Sequence, residues 1–228
     1  MAILRKYEIL GTEVEVWEQE GSMAADIVAS ELSQDSYQLA SVPFSRGDCV
    51  IDIGGHIGLF SIVLAKIYPD LKIYAFEPFP ANYECFRKNI VHNRVMNVSL
   101  YNLAVTKDGR NLSMVTNPNN SGGATAYSTI HTHLKTDNIP SISLEKIFEQ
   151  NSIEHCKLLK IDCEGAEYEI LLNCTILDKI DYLAAEFHIN KVLLRYGYSS
   201  QDLFEHCARF FKAENMAVTG KDFPICIE

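Results

Sequence analysis

Within one short run, Asp52-Ile53-Gly54-Gly55-His56-Ile57-Gly58, an acid and three glycines follow an apolar stretch. Glycine at a strand-to-helix turn lets the backbone close on a ligand, because a side chain there would hold the ligand off. Two cofactor classes use such turns. A dinucleotide site takes G-x-G-x-x-G, with a helix N-terminus facing pyrophosphate. Here Gly54, Gly55 and Gly58 give D-x-G-x-x-x-G, with Asp52 inside the strand end. An acid at that point repels pyrophosphate and suits a cationic cofactor; the amino group and sulfonium of S-adenosylmethionine are cationic. Nineteen residues past Gly58, Phe76-Glu77-Pro78 puts Glu77 where an acid accepts both ribose hydroxyls. NAD proteins share that acid, so the spaced pair of motifs, not Glu77 alone, selects S-adenosylmethionine.

A second set of reactive side chains lies further along. Asp162 and Glu164 follow one apolar run, and Glu186 and His188 end the next. The spacing of two puts Glu186 and His188 on one face of a strand. Methyl transfer is an in-line displacement, so the protein's main contribution is alignment. An alcohol acceptor must also lose its proton, which calls for a base or a metal. His188 is the expected general base, because imidazole titrates near neutral pH. Asp162 is expected to hold the acceptor or the cofactor's amino group. Glu164 is expected to orient His188 or to cap the helix beginning at Gly165, and Glu167 to make a structural hydrogen bond. His131 and His133 are rival bases in a variable loop. Alternatively, Asp162, Glu186 and a third oxygen ligand bind Mg²⁺, which favours oxygen ligands.

These groups need a scaffold that brings strand ends together. Residues from about 47 to 190 alternate short apolar runs with helical patterns, the signature of βαβ units and a mostly parallel sheet with helices on both faces. Strands are expected at Cys49–Ile53, Lys72–Phe76, Val98–Leu103, Leu158–Ile161 and Tyr182–Phe187, and helices at Ile57–Lys66 and Ala166–Leu172. Ligands bind beyond the C-terminal strand ends of such sheets, which is where the acids and His188 stand. Residues 1–46 read as a strand pair and a helix, a cap or lid on a Rossmann-like domain spanning 47–228. The polar stretch 108–138 is too long for an idle connection and is read as a hairpin insertion or substrate loop. Two short strands, near Ala217-Val218 and Pro224–Ile227, are expected to close the sheet edge. Trp17 and Tyr37 are read as core rather than as an acceptor wall.

Composition narrows the partners. Of 228 residues, 20 are basic and 30 acidic, a net charge of −10 that disfavours a broad nucleic-acid footprint. The seven cysteines form no CxxC pair or framework spacing and read as reduced thiols of a cytoplasmic protein. No apolar stretch is long enough to cross a bilayer, and the N-terminus lacks a signal-peptide core. Edge strands and an apolar terminal helix leave room for a homodimer.

Asp52–Gly58, Phe76-Glu77-Pro78, Asn102-Leu103-Ala104-Val105 and Lys160-Ile161-Asp162-Cys163-Glu164-Gly165-Ala166-Glu167 together resemble the FkbM-type methyltransferases, the last stretch matching their D-x-E-G-x-E element. The resemblance implies a class I methyltransferase fold and S-adenosylmethionine, with S-adenosylhomocysteine as product. It extends the cofactor set to Asp52, Gly54, Gly55, Gly58, Glu77, Asn102, Ala104 and Asp162. It also implies O-methylation of a small acceptor: a secondary metabolite, a sugar or a lipid-linked glycan. Gly55-His56 departs from the Ala-Asn of the family pattern, which points to a changed methionine end of the cofactor site. The competing readings are a methyltransferase acting on protein or nucleic acid, and a non-catalytic Rossmann-like binding protein.

Overall fold

The computed structural model describes residues 2–117, 120–127 and 134–220. His131, His133, Cys226 and the strand expected at Pro224–Ile227 lie outside the described residues. The chain opens with a hairpin, β1 (Ala2–Ile9) and β2 (Thr12–Gln19), and a helix, α1 (Ala24–Ser33). Then β3 (Cys49–Ile53), α2 (Leu59–Ile67), β4 (Lys72–Phe76), α3 (Pro80–Asn93) and β5 (Val98–Tyr101) alternate. After the short β6 (Ala104–Val105) come β7 (Leu112–Asn117), β8 (Asn120–Thr125), β9 (Leu134–Ile139), the short β10 (Ser141–Ile142) and α4 (Leu144–Gln150). The remainder is β11 (Cys156–Ile161), α5 (Glu167–Asn173), β12 (Ile180–Glu186), α6 (Lys191–Arg195), α7 (Ser200–Cys207) and β13 (Met216–Thr219).

Six strands form the central sheet in the order β13-β12-β11-β3-β4-β5, every neighbouring pair parallel. The chain winds outward from β3 to β5 and then returns to the other side of β3 as β11. The crevice between β3 and β11 is therefore the topological switch point, where open parallel sheets bind ligands. All five residues of β3 are buried, as expected for a strand covered on both faces. Cys49, Ile51 and Ile53 join Leu159 and Ile161 in a core that includes residues of α4, α5 and α7. Val50 and Leu158 face the opposite core, which holds α1, α2 and the buried side of β2.

The N-terminal hairpin is clipped to α3 by side chains that imitate a strand. Asn89 Oδ1 accepts the Trp17 N–H at 2.7 Å while its amide donates to Trp17 O and to Ile57 O at 3.1 and 2.9 Å. Asn93, one helical turn on, donates to Glu15 O at 2.6 Å. Buried Glu18 then fixes the start of α1, accepting from Ala25 N at 3.0 Å and Ser22 Oγ at 2.6 Å, with Arg5 Nε at 3.3 Å. The region expected to be a hairpin or substrate loop holds an antiparallel sheet, β8-β7-β9. The third expected core strand stops at Tyr101 rather than Leu103, because Asn102 donates to Glu77 O and Pro78 O at 2.8 and 3.1 Å and draws the chain out of the ladder.

Candidate active site

The glycine turn is shaped by its protein neighbours. Gly54 and Gly58 have φ of +79° and +91°, in the left-handed region that excludes most side chains. A Cβ on Gly54 would overlap the Asp162 carbonyl oxygen, and one on Gly58 would overlap the Phe86 ring. Added to Gly55, a Cβ would stand 2.7 Å from Phe86 Cε1. Within the protein these glycines let β3 close on β11 and α2 close on α3. Gly54 and Gly55 still line the cavity above the turn, with His56 and Ile57; Gly58 does not.

Asp52 is also placed differently from the expectation. It is fully buried, accepts from Ser61 Oγ of α2 at 2.7 Å, and pairs with Lys160 Nζ at 3.3 Å. It does not line the cavity, so it meets the cavity's charge only through Lys160. Lys160 sits opposite Asp52 in the β3–β11 register, donates to Gly54 O at 2.9 Å and reaches Asp162 Oδ2 at 3.5 Å. Burial opposes the charge of Lys160, but Asp52 and Asp162 hold its ammonium above the ordinary lysine range. A lysine inside the apolar run Leu158–Ile161 was the signal for this residue in the sequence, and it was missed.

Glu77, at the end of β4, lines the cavity. Its Oε2 accepts from His56 N and its Oε1 from Phe79 N, both at 2.8 Å. Burial nevertheless pushes its carboxyl up to about 7, against those hydrogen bonds and one from Asn82. His56, with φ of +49°, is driven down to about 4 by burial and by Lys160, so its ring is neutral at pH 7. Ala104 lines the same cavity, whereas Asn102 stands behind it, bracing the Glu77–Pro78 backbone.

At the other end of the cavity, the β11–α5 turn carries Asp162, Glu164 and Glu167. Glu164 and Gly165 both take positive φ, +56° and +108°, and the fully buried Glu167 closes the turn by accepting from Cys163 N and Gly165 N at 2.8 Å. The same Glu167 Oε1 lies 3.1 Å from His188 Nδ1. Orientation of His188, expected of Glu164, therefore belongs to Glu167. His188 Nε2 faces Glu186 at 3.4 Å, Glu164 at 3.9 Å and Asp162 at 4.0 Å. Burial disfavours its charge, but hydrogen bonds to Glu167 and Glu186 and the charge of Glu164 carry the imidazolium to about 11. In that state Nε2 carries a proton, so any use of its lone pair, as a base or as a ligand, requires that proton to leave first. Burial raises Glu164 to about 7 and also raises Asp162, in the latter case against Lys160 and His188.

The cap supplies a residue that the sequence did not single out. Glu31 of α1 lines the cavity and accepts from Tyr37 Oη at 2.7 Å, and burial raises its carboxyl. Tyr37, read as core, lines the cavity as well, while Trp17 packs away from it against Cys85 and His92. The β7–β9 region closes the remaining side: Leu112, Met114 and Ala126 are in the wall. It is latched there by Thr125 Oγ1 donating to Glu164 O at 2.6 Å and by an Arg110–Glu169 pair at 2.6 Å. Among the described residues, Lys160 is the only Lys or Arg in a wall that holds Glu31, Glu77, Asp162, Glu164 and Glu186.

Comparison with known proteins gives a family match. Residues 52–213 match the model described as the methyltransferase FkbM domain. A protein of Beauveria bassiana called Methyltransferase 1 is 26% identical over 164 residues, 63% of this chain and 66% of that protein, just under two thirds of its length. The methyltransferase sdnD of Sordaria araneosa is 24% identical over 201 residues, 75% of this chain and 77% of that one. A shorter stretch of 59 residues, 26% of this chain and 23% of the relative, is 36% identical to the 31-O-demethyl-FK506 methyltransferase FkbM of Streptomyces tacrolimicus.

Proposed function

We propose that this chain, which belongs to the FkbM-domain methyltransferase family, uses S-adenosylmethionine to methylate a hydroxyl of a small molecule such as a secondary metabolite, a sugar or a lipid-linked glycan. The observation that carries this reading is the single cavity joining Glu77 to the Asp162–Glu164–Glu186–His188 group, roofed by α1 and by the β7–β9 region. A roofed cavity lined by five carboxylates, whose Lys160 and His188 are both engaged by carboxylates, disfavours a phosphate backbone. It favours an acceptor small enough to be enclosed. The Streptomyces relative is named for a 31-O-demethyl acceptor, which supports oxygen as the receiving atom.

The cavity fits the cofactor. Glu77 is a buried carboxylate that accepts from His56 N and Phe79 N, and burial pushes its carboxyl up; two ribose hydroxyls are suitable further donors. Gly54, Gly55 and His56 form the wall beside it, and Phe76, Leu103, Ala104 and Val105 give apolar surface for a purine. The carboxylates beyond Lys160 complement a positive cofactor. When bound, S-adenosylmethionine supplies a methyl carbon already activated by its sulfonium. The chain's own residues position the acceptor oxygen and receive its proton. We assign the proton to Glu164, which lines the cavity and is not tied to Lys160, and acceptor contacts to Glu31 and Asp162. His188 and Glu167 hold these carboxylates in place. Mg²⁺ on oxygen ligands alone is the weaker metal reading, because the third group beside Asp162 and Glu186 is the imidazole of His188.

No described helix is long and apolar enough to cross a membrane, and the six described cysteines are free thiols. Incubation with methyl-labelled S-adenosylmethionine and parallel panels of polyketide alcohols, phenols, sugars, proteins and RNA tests the acceptor class. Label is expected in a base-stable ether of a small hydroxyl compound. Label confined to protein or RNA would reject the small-molecule reading.

A further inference from the structure

The two nitrogens of His188 have different surroundings. Nδ1 lies 3.1 Å from Glu167 Oε1, and Glu167 is locked by two backbone N–H groups at 2.8 Å. A carboxylate on one ring nitrogen fixes the ring and leaves the other nitrogen for ligation, the arrangement usually found behind a metal-binding histidine. That other nitrogen, Nε2, stands 3.4 to 4.0 Å from oxygens of Glu186, Glu164 and Asp162. One ligand atom each from Asp162, Glu186 and His188 all lie within 4.8 Å of one another. Carboxylates gathered this closely call for a cation among them, a place held by the His188 imidazolium or by a metal ion that displaces its Nε2 proton. Lys160 serves only the far side, where it meets Oδ2 of Asp162 at 3.5 Å while held by Gly54 O and Asp52.

First-row divalent ions bond nitrogen and oxygen at about 2.0–2.2 Å, so their ligand atoms stand about 3–4 Å apart. Side-chain rotations that draw the widest pair together by about 1 Å meet that requirement. We propose that Asp162, Glu186 and His188 form a divalent-cation site, with Glu167 positioning the imidazole. An imidazole ligand selects an ion such as Mn²⁺ over Mg²⁺. The ligand set uses three positions, and its residues line the cavity roofed by α1, so further positions are open to an acceptor oxygen. There the ion's chemistry is Lewis-acid polarisation of that oxygen. The site itself stands on this geometry; only its part in catalysis rests on the methyltransferase reading.

Chelator-stripped protein titrated with MnCl₂ or MgCl₂, with electron paramagnetic resonance of the Mn²⁺ sample, tests the site. One Mn²⁺ per chain is expected, bound at least about tenfold more tightly than Mg²⁺, with nitrogen hyperfine modulation from the imidazole. His188→Gln should abolish that modulation, and His188→Gln or Glu186→Gln should each weaken Mn²⁺ at least about 100-fold. Glu167→Gln should weaken it by about 10–100-fold. His155→Gln, which removes the surface His155–Asp181 pair at 2.6 Å, should change nothing. S-adenosylhomocysteine binding, measured on the same samples, reports folding and the cofactor site separately. Wild-type protein that binds S-adenosylhomocysteine but no Mn²⁺, or Mn²⁺ binding that survives both His188→Gln and Glu186→Gln, overturns the cation site and leaves the methyltransferase reading standing. Mn²⁺ binding without S-adenosylhomocysteine binding would do the reverse.

Discussion

Replacing His188 with glutamine is expected to lower turnover by about 10²–10⁴ while S-adenosylhomocysteine affinity changes by less than about threefold. Glutamine is the informative substitution, because its amide can still donate to Glu167, which would otherwise be left as a buried charge without that partner. What it cannot do is carry the positive charge, or offer the imidazole nitrogen, that now stands among Glu186, Glu164 and Asp162 at 3.4–4.0 Å. These carboxylates would then repel one another and spread, and an acceptor oxygen would lose its alignment. Steady-state kinetics, calorimetric binding and a melting curve separate the possibilities. Wild-type turnover would show that His188 only fills space. A large fall in melting temperature with the cofactor affinity lost would show a structural collapse, not a local effect.

Gly54→Ala is expected to be among the most damaging single substitutions in the chain, lowering stability by about 2–5 kcal/mol. A left-handed residue other than glycine costs about 1–2 kcal/mol, and forcing an extra carbon into a packed site costs about 1–3 kcal/mol more. The second cost is hard to relieve, because the obstacle is the backbone oxygen of Asp162 rather than a side-chain end. Moving it would break the hydrogen bond from Asp162 N to Ile53 O at 3.1 Å, between the ends of β3 and β11. Gly11→Ala is the control: its φ is +73°, but an added Cβ meets nothing within 4 Å, so only the backbone cost of about 1–2 kcal/mol should appear. Urea midpoints for the two variants measure the difference. Equal losses would mean that close packing of β3 on β11 contributes nothing to the demand for glycine.

The parallel core was legible because buried strands write themselves as apolar runs. Cys49–Ile53 and Lys72–Phe76 are strands over the limits expected from the sequence; β11 differs by two residues at its start alone, and β12 by two at its start and one at its end. The β7–β9 region was less legible, since its polar residues carry no strong alternation and its partners are set by pairing across a long connection. For the site, residue type and position along the chain located Glu77, Asp162, Glu164, Glu186 and His188 in one cavity. Which group faces which was not readable. Asp52 was assigned to a cationic ligand, but the positive charge beside it belongs to Lys160, two strand positions before Asp162. Glu167 makes its expected structural hydrogen bonds and also takes the orientation of His188 expected of Glu164, because left-handed Glu164 and Gly165 reverse the chain just before it, a turn that spacing along a helix does not reveal. Glu31 reaches the cavity from α1, a helix whose docking depends on Glu18 and on packing against α2.

In the proposed complex S-adenosylmethionine occupies this cavity with its ribose on Glu77. Calorimetric titration of S-adenosylhomocysteine into wild-type protein and Glu77→Gln, at pH 6 and pH 8, tests it most directly. Glu77 is raised to about 7 in the free protein, and hydroxyl donors favour its ionised form, so wild-type binding should strengthen as pH rises through 7. The gain expected between the two pH values is about five- to tenfold. Glu77→Gln should bind at least about tenfold more weakly at pH 8 and lose the pH dependence. Wild-type affinity in Glu77→Gln, with the same pH profile, would contradict the account and move the ribose elsewhere.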